Sequence, residues 1–345
     1  MKINEPNFQI NQVINSFNIA RVADVVFSEV VSSEHYENII SKKNTEIIRT
    51  EGDLVFYRTT NIELFENCVI FANTVNLKNL FFYLKRVKEY KNLKLITHQT
   101  DIEINKKLFN SKPACISEWY SPNISYEHPN LIPIPLGVAN DYSIKNLTSR
   151  FFITNKKNNK KTDKIYINFV TNTNEKKRLK LLNFFRNKSW ASFDNPNLDL
   201  HIYKQKLESH KFVLCPPGNG IDTHRMWETL YLDSIPVVEK NISSKEYSNL
   251  PIIYYENIED VNIDYLNKQC EELIFESEML SVEWWAKKVR NSDDNNNRDR
   301  VLIKNNKFVN MYFDTINYLQ WMILNKSIKL VKYYILKLTK INFQK

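Results

Sequence analysis

Lys211–Glu239 reads KFVLCPPGNGIDTHRMWETLYLDSIPVVE, and its grammar is strand, tight loop, helix, strand. Phe212–Cys215 is apolar, as a buried parallel strand requires. Pro216 and Pro217 end it, because proline has no N–H to give a ladder. Gly218 and Gly220 follow, where the backbone takes a path barred to other residues or comes close to a ligand. Asp222 or Thr223 stands where a helix N-cap belongs. Asp222–Leu232 then has helical spacing, with Trp227, Leu230 and Tyr231 on one side and Asp222, Arg225 and Glu228 on another. Ile235–Val238 is the next strand. A helix amino end facing a glycine loop at the carboxyl end of a strand is an anion site, and open α/β sheets bind ligands at that edge. Arg225 suits a diphosphate, and Glu228 can accept hydrogen bonds from ribose hydroxyls. A surface ion pair between the two is the alternative, and the glycine loop favours ligand binding over it.

Glycine is scarce elsewhere. The chain has 345 residues and 4 glycines, where average usage of ~7% would give roughly 24. Finding two of them one residue apart directs attention to this loop.

Outward from the motif, short apolar runs alternate with helical patterns. In the first half, Val22–Phe27, Leu54–Tyr57, Cys68–Ala72 and Leu93–Thr97 read as strands, as do the shorter Ala114–Ile116 and Leu131–Pro135; Leu77–Tyr90 reads as a helix. The second half repeats the pattern with strand Ile165–Val170 and helix Glu175–Phe185, whose Leu179, Leu182 and Phe185 should face inward. Helix Tyr203–Lys211 precedes the motif, strand Pro251–Tyr254 follows it, and helices run from Ile258 onward. Such alternation predicts an α/β fold with mostly parallel sheets. Residues 146–163, with the run Asn155–Lys161, read as a linker between domains 1–145 and 164–305, and 306–345 as C-terminal helices.

The motif resembles the donor-binding segment of exostosin-like glycosyltransferases, in which a phrase F-x-L-C-P-x-G-x-G-x-D-x-x-R-x-W-E precedes an I-P-V-V strand. Each element is present between Phe212 and Val238; Asp233 and Ser234 fill a turn where the family commonly has a small residue. His98–Asp101 resembles a T-H-N-S-D phrase of bacterial members. Trp119, Tyr120, Asn123, His128, Pro129 and Ile134–Gly137 resemble the segment that follows it. The likeness covers 93–140 and 164–238. It implies a GT-B fold, two Rossmann-like domains facing a cleft, and inverting sugar transfer without a metal from a nucleotide-sugar donor to a glycan or lipid-linked acceptor. The donor site it implies comprises Pro217, Gly218, Asn219, Gly220, Asp222, Thr223, His224, Arg225 and Glu228.

Inverting transfer needs a base within reach of the acceptor hydroxyl and positive charge or N–H donors for the departing diphosphate. Asp101, at the carboxyl end of a strand, is the first choice for the base, with the N-cap of Ile102–Phe109 as its structural reading; His98 and Glu118 come next. Asn172 and Arg178, after the strand ending at Val170, are further phosphate candidates, with a solvated charge as the duller reading of Arg178. No Asp-x-Asp occurs in the chain, so no metal and no cofactor beyond the donor is expected.

Composition narrows the partners. The 43% hydrophobic and 25% charged residues are ordinary for a globular chain. No apolar run approaches the ~20 residues of a spanning helix, and Met1–Ile10 has no signal-peptide pattern, so a cytoplasmic protein is expected. Cys68, Cys115, Cys215 and Cys270 show no metal or disulfide spacing. The net charge of +9 points to anionic partners. From Thr315 to Lys345 there are six lysines and no acidic residue; Lys326, Lys329, Lys332, Lys337 and Lys340 share one helical arc, opposite Val331, Tyr334, Ile335 and Leu338. Residues 326–345 thus suit an anionic membrane surface, or a terminal helix packed on the protein. Basic residues concentrate there and in the linker, which argues against nucleic acid. An α1,3-fucosyltransferase-like enzyme and a non-catalytic nucleic-acid or glycan-binding protein are the competing readings.

Overall fold

The computed structural model describes residues 9–38, 44–153, 160–290 and 299–323. Its architecture is α/β, with a seven-stranded mixed sheet, a five-stranded parallel sheet, and helices. In the first sheet the order is Thr45–Glu51, Leu54–Thr59, Val25–Ser32, Val69–Asn73, Leu93–His98, Ile116–Ser121, Leu131–Pro133. From Val25–Ser32 to Leu131–Pro133 neighbours are parallel; Leu54–Thr59 pairs antiparallel with strands on both sides. Every residue of Val69–Asn73 and Leu93–His98 is buried, as expected of central parallel strands covered on both faces. The second sheet runs Ala191–Phe193, Thr162–Ile167, His210–Leu214, Ile235–Glu239, Ile253–Tyr255, all parallel.

The two sheets share apolar packing. One cluster joins Phe71, Ile96 and Tyr120 of the first sheet to Tyr166 and Val213 of the second, through Trp227 and Trp285. The outer face of the first sheet packs on helix Leu77–Leu84, and that of the second on helices Glu175–Phe185 and Ile263–Glu271. After the second sheet the chain returns to the first half of the sequence: Val301–Lys304 pairs antiparallel with Asn61–Leu64 in a separate two-stranded sheet, and residues 307–323 form a helix. Among the described residues no helix is long and apolar enough to cross a membrane.

Several expectations shift. Helix Glu175–Phe185 has its expected limits, but Leu179 is 42% exposed while Arg178, Leu181 and Phe185 are buried. The apolar stripe follows positions 178, 181 and 185, so Arg178 enters the interior with it. The expected linker, 146–163, carries packed residues. Leu147, Thr148, Ser149 and Phe152 are buried, and Lys161 Nζ donates to the carbonyls of Glu208 and Leu232. The expected break is thus packed at both ends. Residues 154–159 and the basic tail 326–345 lie outside the described residues.

Candidate donor cleft between the sheets

A cleft of about 600 Å³ lies where the carboxyl ends of the central strands of both sheets meet. From the first sheet it takes His98, the last residue of strand Leu93–His98, with Gln99, Thr100 and Asp101 after it, and Leu136 with Val138–Asn140. From the second it takes Phe169 and Val170, Thr173 and Arg178, and Gly218–Gly220 with Asp222–Arg225. The chain folds this way because both sets of residues immediately follow buried parallel strands, the edge where α/β sheets present their loops.

The glycine loop is held by residues from both sheets. Neither Gly218 nor Gly220 has a positive φ, so the expected left-handed path is not the reason for glycine here. A Cβ on Gly220 would lie 2.6 Å from Asn123 Oδ1, and that oxygen accepts the N–H of Ile221 at 2.9 Å. Asn123 Nδ2 donates to the Thr100 carbonyl at 3.2 Å. Behind the loop, Arg178 Nε donates to Pro217 O at 3.1 Å and Nη1 to Val170 O at 2.6 Å. Arg178 is therefore neither a solvated charge nor a free phosphate ligand; three of its contacts are backbone carbonyls. Burial, with Arg225 adding repulsion, pushes its guanidinium down to about 10.

Helix His224–Tyr231 starts at the cleft. Thr223 holds the N-cap position without a side-chain cap bond; its N–H donates to Asp222 Oδ1 at 2.7 Å. Asp222 is 7% exposed. Its carboxylate also accepts the indole N–H of Trp227 at 2.9 Å and the N–H of Leu136 at 2.9 Å. All these bonds are within the protein, so Asp222 ties the helix to the first sheet's loop rather than offering a free ligand group. Burial pushes its carboxyl up to about 7, opposed by these donors.

Arg225 lines the cleft with its guanidinium 5.2 Å from the centroid of Tyr203. Its Nη1 is enclosed and has no hydrogen-bond partner among the described residues, and the same holds for Thr173 Oγ1. Unpaired enclosed donors are costly, and the Arg178 and Arg225 guanidiniums repel each other at the cleft. Glu228 differs from its expected role. It is 2% exposed and does not line the cleft; its oxygens accept the Leu147 N–H at 3.2 Å and the Tyr203 hydroxyl at 2.9 Å. Burial raises its carboxyl, against the pull of Arg225 and His224. It supports the cleft floor because its helix is buried continuously from Met226 to Tyr231.

The base candidates separate on hydrogen bonding. His98 Nδ1 accepts the Gln99 N–H at 2.9 Å, so Nε2 carries the proton and donates to Pro135 O at 3.1 Å. That leaves no lone pair for an acceptor proton, and burial pushes the imidazole down to about 4. Glu118 lies in register with Lys94, toward the amino end of its strand. Its Oε2 accepts from Tyr120 at 2.7 Å and is 3.3 Å from Lys94 Nζ, away from the cleft. Asp101 does line the cleft, exposed at its rim, and accepts from Asn219 Nδ2 at 3.3 Å. It caps no helix, since Asn105 caps Lys106–Phe109. His224 lines the cleft too. Its Nδ1 meets the Gly137 carbonyl at 2.8 Å, and a carbonyl only accepts, so neutral His224 keeps its lone pair on Nε2.

Asn172 is exposed in the turn after Val170 and does not line the cleft; its neighbour Thr173 does. Pro217 contributes only its carbonyl, to Arg178. His128 packs at a tilt against Phe109, with ring centroids 4.6 Å apart. Asn123 and Thr173 were not among the residues singled out for the site. The W-Y-x-x-N phrase that contains Asn123 was the signal for it; nothing distinguishes Thr173 from any other loop hydroxyl. Among the described residues no group of three or more His, Cys, Asp or Glu is placed to hold a metal ion.

The chain matches no protein-family model and no curated protein.

Proposed function

We propose that this protein is an inverting glycosyltransferase that moves a sugar from a nucleoside-diphosphate donor to a hydroxyl of a glycan or lipid-linked acceptor. One observation carries the reading. The unpartnered Nη1 of Arg225, the unpartnered hydroxyl of Thr173 and the start of helix His224–Tyr231 converge with Gly218–Gly220 on one cleft. Donors fixed before the ligand arrives stabilise a departing diphosphate without reorganising. Arg225 supplies the unpartnered Nη1, and Arg178 adds charge while holding the loop. Two sheets with their carboxyl edges on one cleft, and a chain that after the second sheet comes back to pair Val301–Lys304 with Asn61–Leu64, support a GT-B arrangement.

In this reading His224 Nε2 takes the proton of the acceptor hydroxyl as it attacks the anomeric carbon and the bond to the diphosphate breaks. Asp101 closes the rim through Asn219 and is the other group able to serve. Protein cations carry the leaving-group charge, so a chelator should leave turnover intact. The test is incubation of the full chain with a panel of nucleotide sugars, measuring release of nucleoside diphosphate. Release from one donor supports the proposal; none from any donor, with no diphosphate binding, removes it.

A further inference from the structure

Among the described residues, the helix at 307–323 is anchored along one face. Arg58 Nη1 donates to Asp314 at 3.1 Å, the Tyr83 hydroxyl to Asn310 at 2.7 Å, and Phe313 packs against Phe82 at 5.9 Å. At 100° per residue these anchors share one arc. Opposite them lies a stripe of Phe308 (78% exposed), Met311 (59%), Tyr312 (62%), Leu319 (45%) and Ile323 (64%). A folded monomer rarely leaves such a row of apolar side chains in water, and where it does the row marks a binding surface.

Charge decides which surface it fits. The stripe itself carries no acidic residue, and from Thr315 to the end of the chain there are six lysines and no acidic residue. An apolar helix face followed by lysines matches a bilayer with anionic headgroups, where buried apolar area and electrostatic attraction add. Tyr318, 54% exposed and beside Met311 around the helix, is a residue type that settles at the headgroup level. We infer that the 307–323 helix docks the protein on an anionic membrane through the Phe308–Ile323 stripe, the helix lying in the plane of the interface. This surface is separate from the donor cleft and does not depend on the proposed transfer.

The experiment is co-sedimentation of the full chain with vesicles of phosphatidylcholine, with and without phosphatidylserine. Its companion is the variant Phe308→Ser/Met311→Ser/Leu319→Ser. These side chains are exposed, so the variant should keep the wild-type melting curve. The expected result is binding to the phosphatidylserine vesicles that weakens at least tenfold in the variant. Three results overturn the inference. The wild type could stay in the supernatant with anionic vesicles. The variant could bind as tightly as the wild type, which assigns the contact to the lysines alone. Light scattering could show a dimer that the variant abolishes, which makes a second copy the occupant.

Discussion

Asn123 Oδ1 occupies the space that a side chain at position 220 would need. A Cβ on Gly220 would fall 2.6 Å from it, and Asn123 is 1% exposed and bonded to Ile221 and Thr100. The first sheet's loop thereby sets the shape of the second sheet's glycine loop. Gly220→Ala should cost about 1–3 kcal/mol of stability, as an overpacked interior does, and abolish diphosphate binding. Asn123→Ala in the same chain removes the clash, so the two changes should be non-additive in a double-mutant cycle of melting temperatures. Simple additivity would show that the two residues do not share the space.

Asp222 should act as a structural tie. At pH 8 its carboxylate accepts from Leu136, Thr223 and Trp227, and Asp222→Asn would turn an N–H₂ toward at least one of these donors. A buried donor left unmet costs about 1–3 kcal/mol. Chemical denaturation should record a loss of that size; wild-type stability in the variant would contradict the assignment.

His98 predicts an acid-side slope in stability. Its folded value is depressed to about 4 from 6.5, so the unfolded chain binds a proton before the folded one does. The stabilisation is present above pH 6.5 and is lost as the pH falls through 4, amounting to about 3 kcal/mol at most. In His98→Gln the melting temperature should lose less between pH 7 and pH 4.5 than in the wild type. An equal loss in both proteins would assign the slope to other groups.

The choice of base can be tested by two substitutions. His224→Gln should lower kcat by about 10²–10⁴, the usual reach of general-base catalysis, while nucleotide affinity stays within a few-fold. Asp101→Asn should have a smaller effect on kcat, through the rim contact with Asn219. The reverse order, measured as single-turnover rates at saturating donor, would move the base to Asp101.

How much of this was legible in the sequence depends on the kind of information needed. The strands around the glycine loop and helix Glu175–Phe185 follow from local pattern. Strand Thr45–Glu51 does not, because its half-exposed edge position gives it mixed polarity. The glycine loop could be read as the centre of the site, since chain scarcity and proline punctuation both mark it. The roles of Asp222 and Glu228 could not be read. Periodicity places them on one helix face with Arg225, but which part of that face meets Leu136, Leu147 and Tyr203 is decided by packing between residues 25 to 86 positions apart. His98 stands where a base belongs at the end of its strand, yet its two ring nitrogens are occupied by Gln99 and Pro135, a pairing no local pattern encodes.

The central claim is that Arg225 meets the diphosphate of a donor at the glycine loop. Calorimetric titration of nucleoside diphosphates into the wild type and into Arg225→Gln tests it most directly. Binding to the wild type that weakens at least tenfold in the variant, and weakens with added salt as a charge-assisted contact must, is the predicted result. Equal affinity in the two proteins would contradict it.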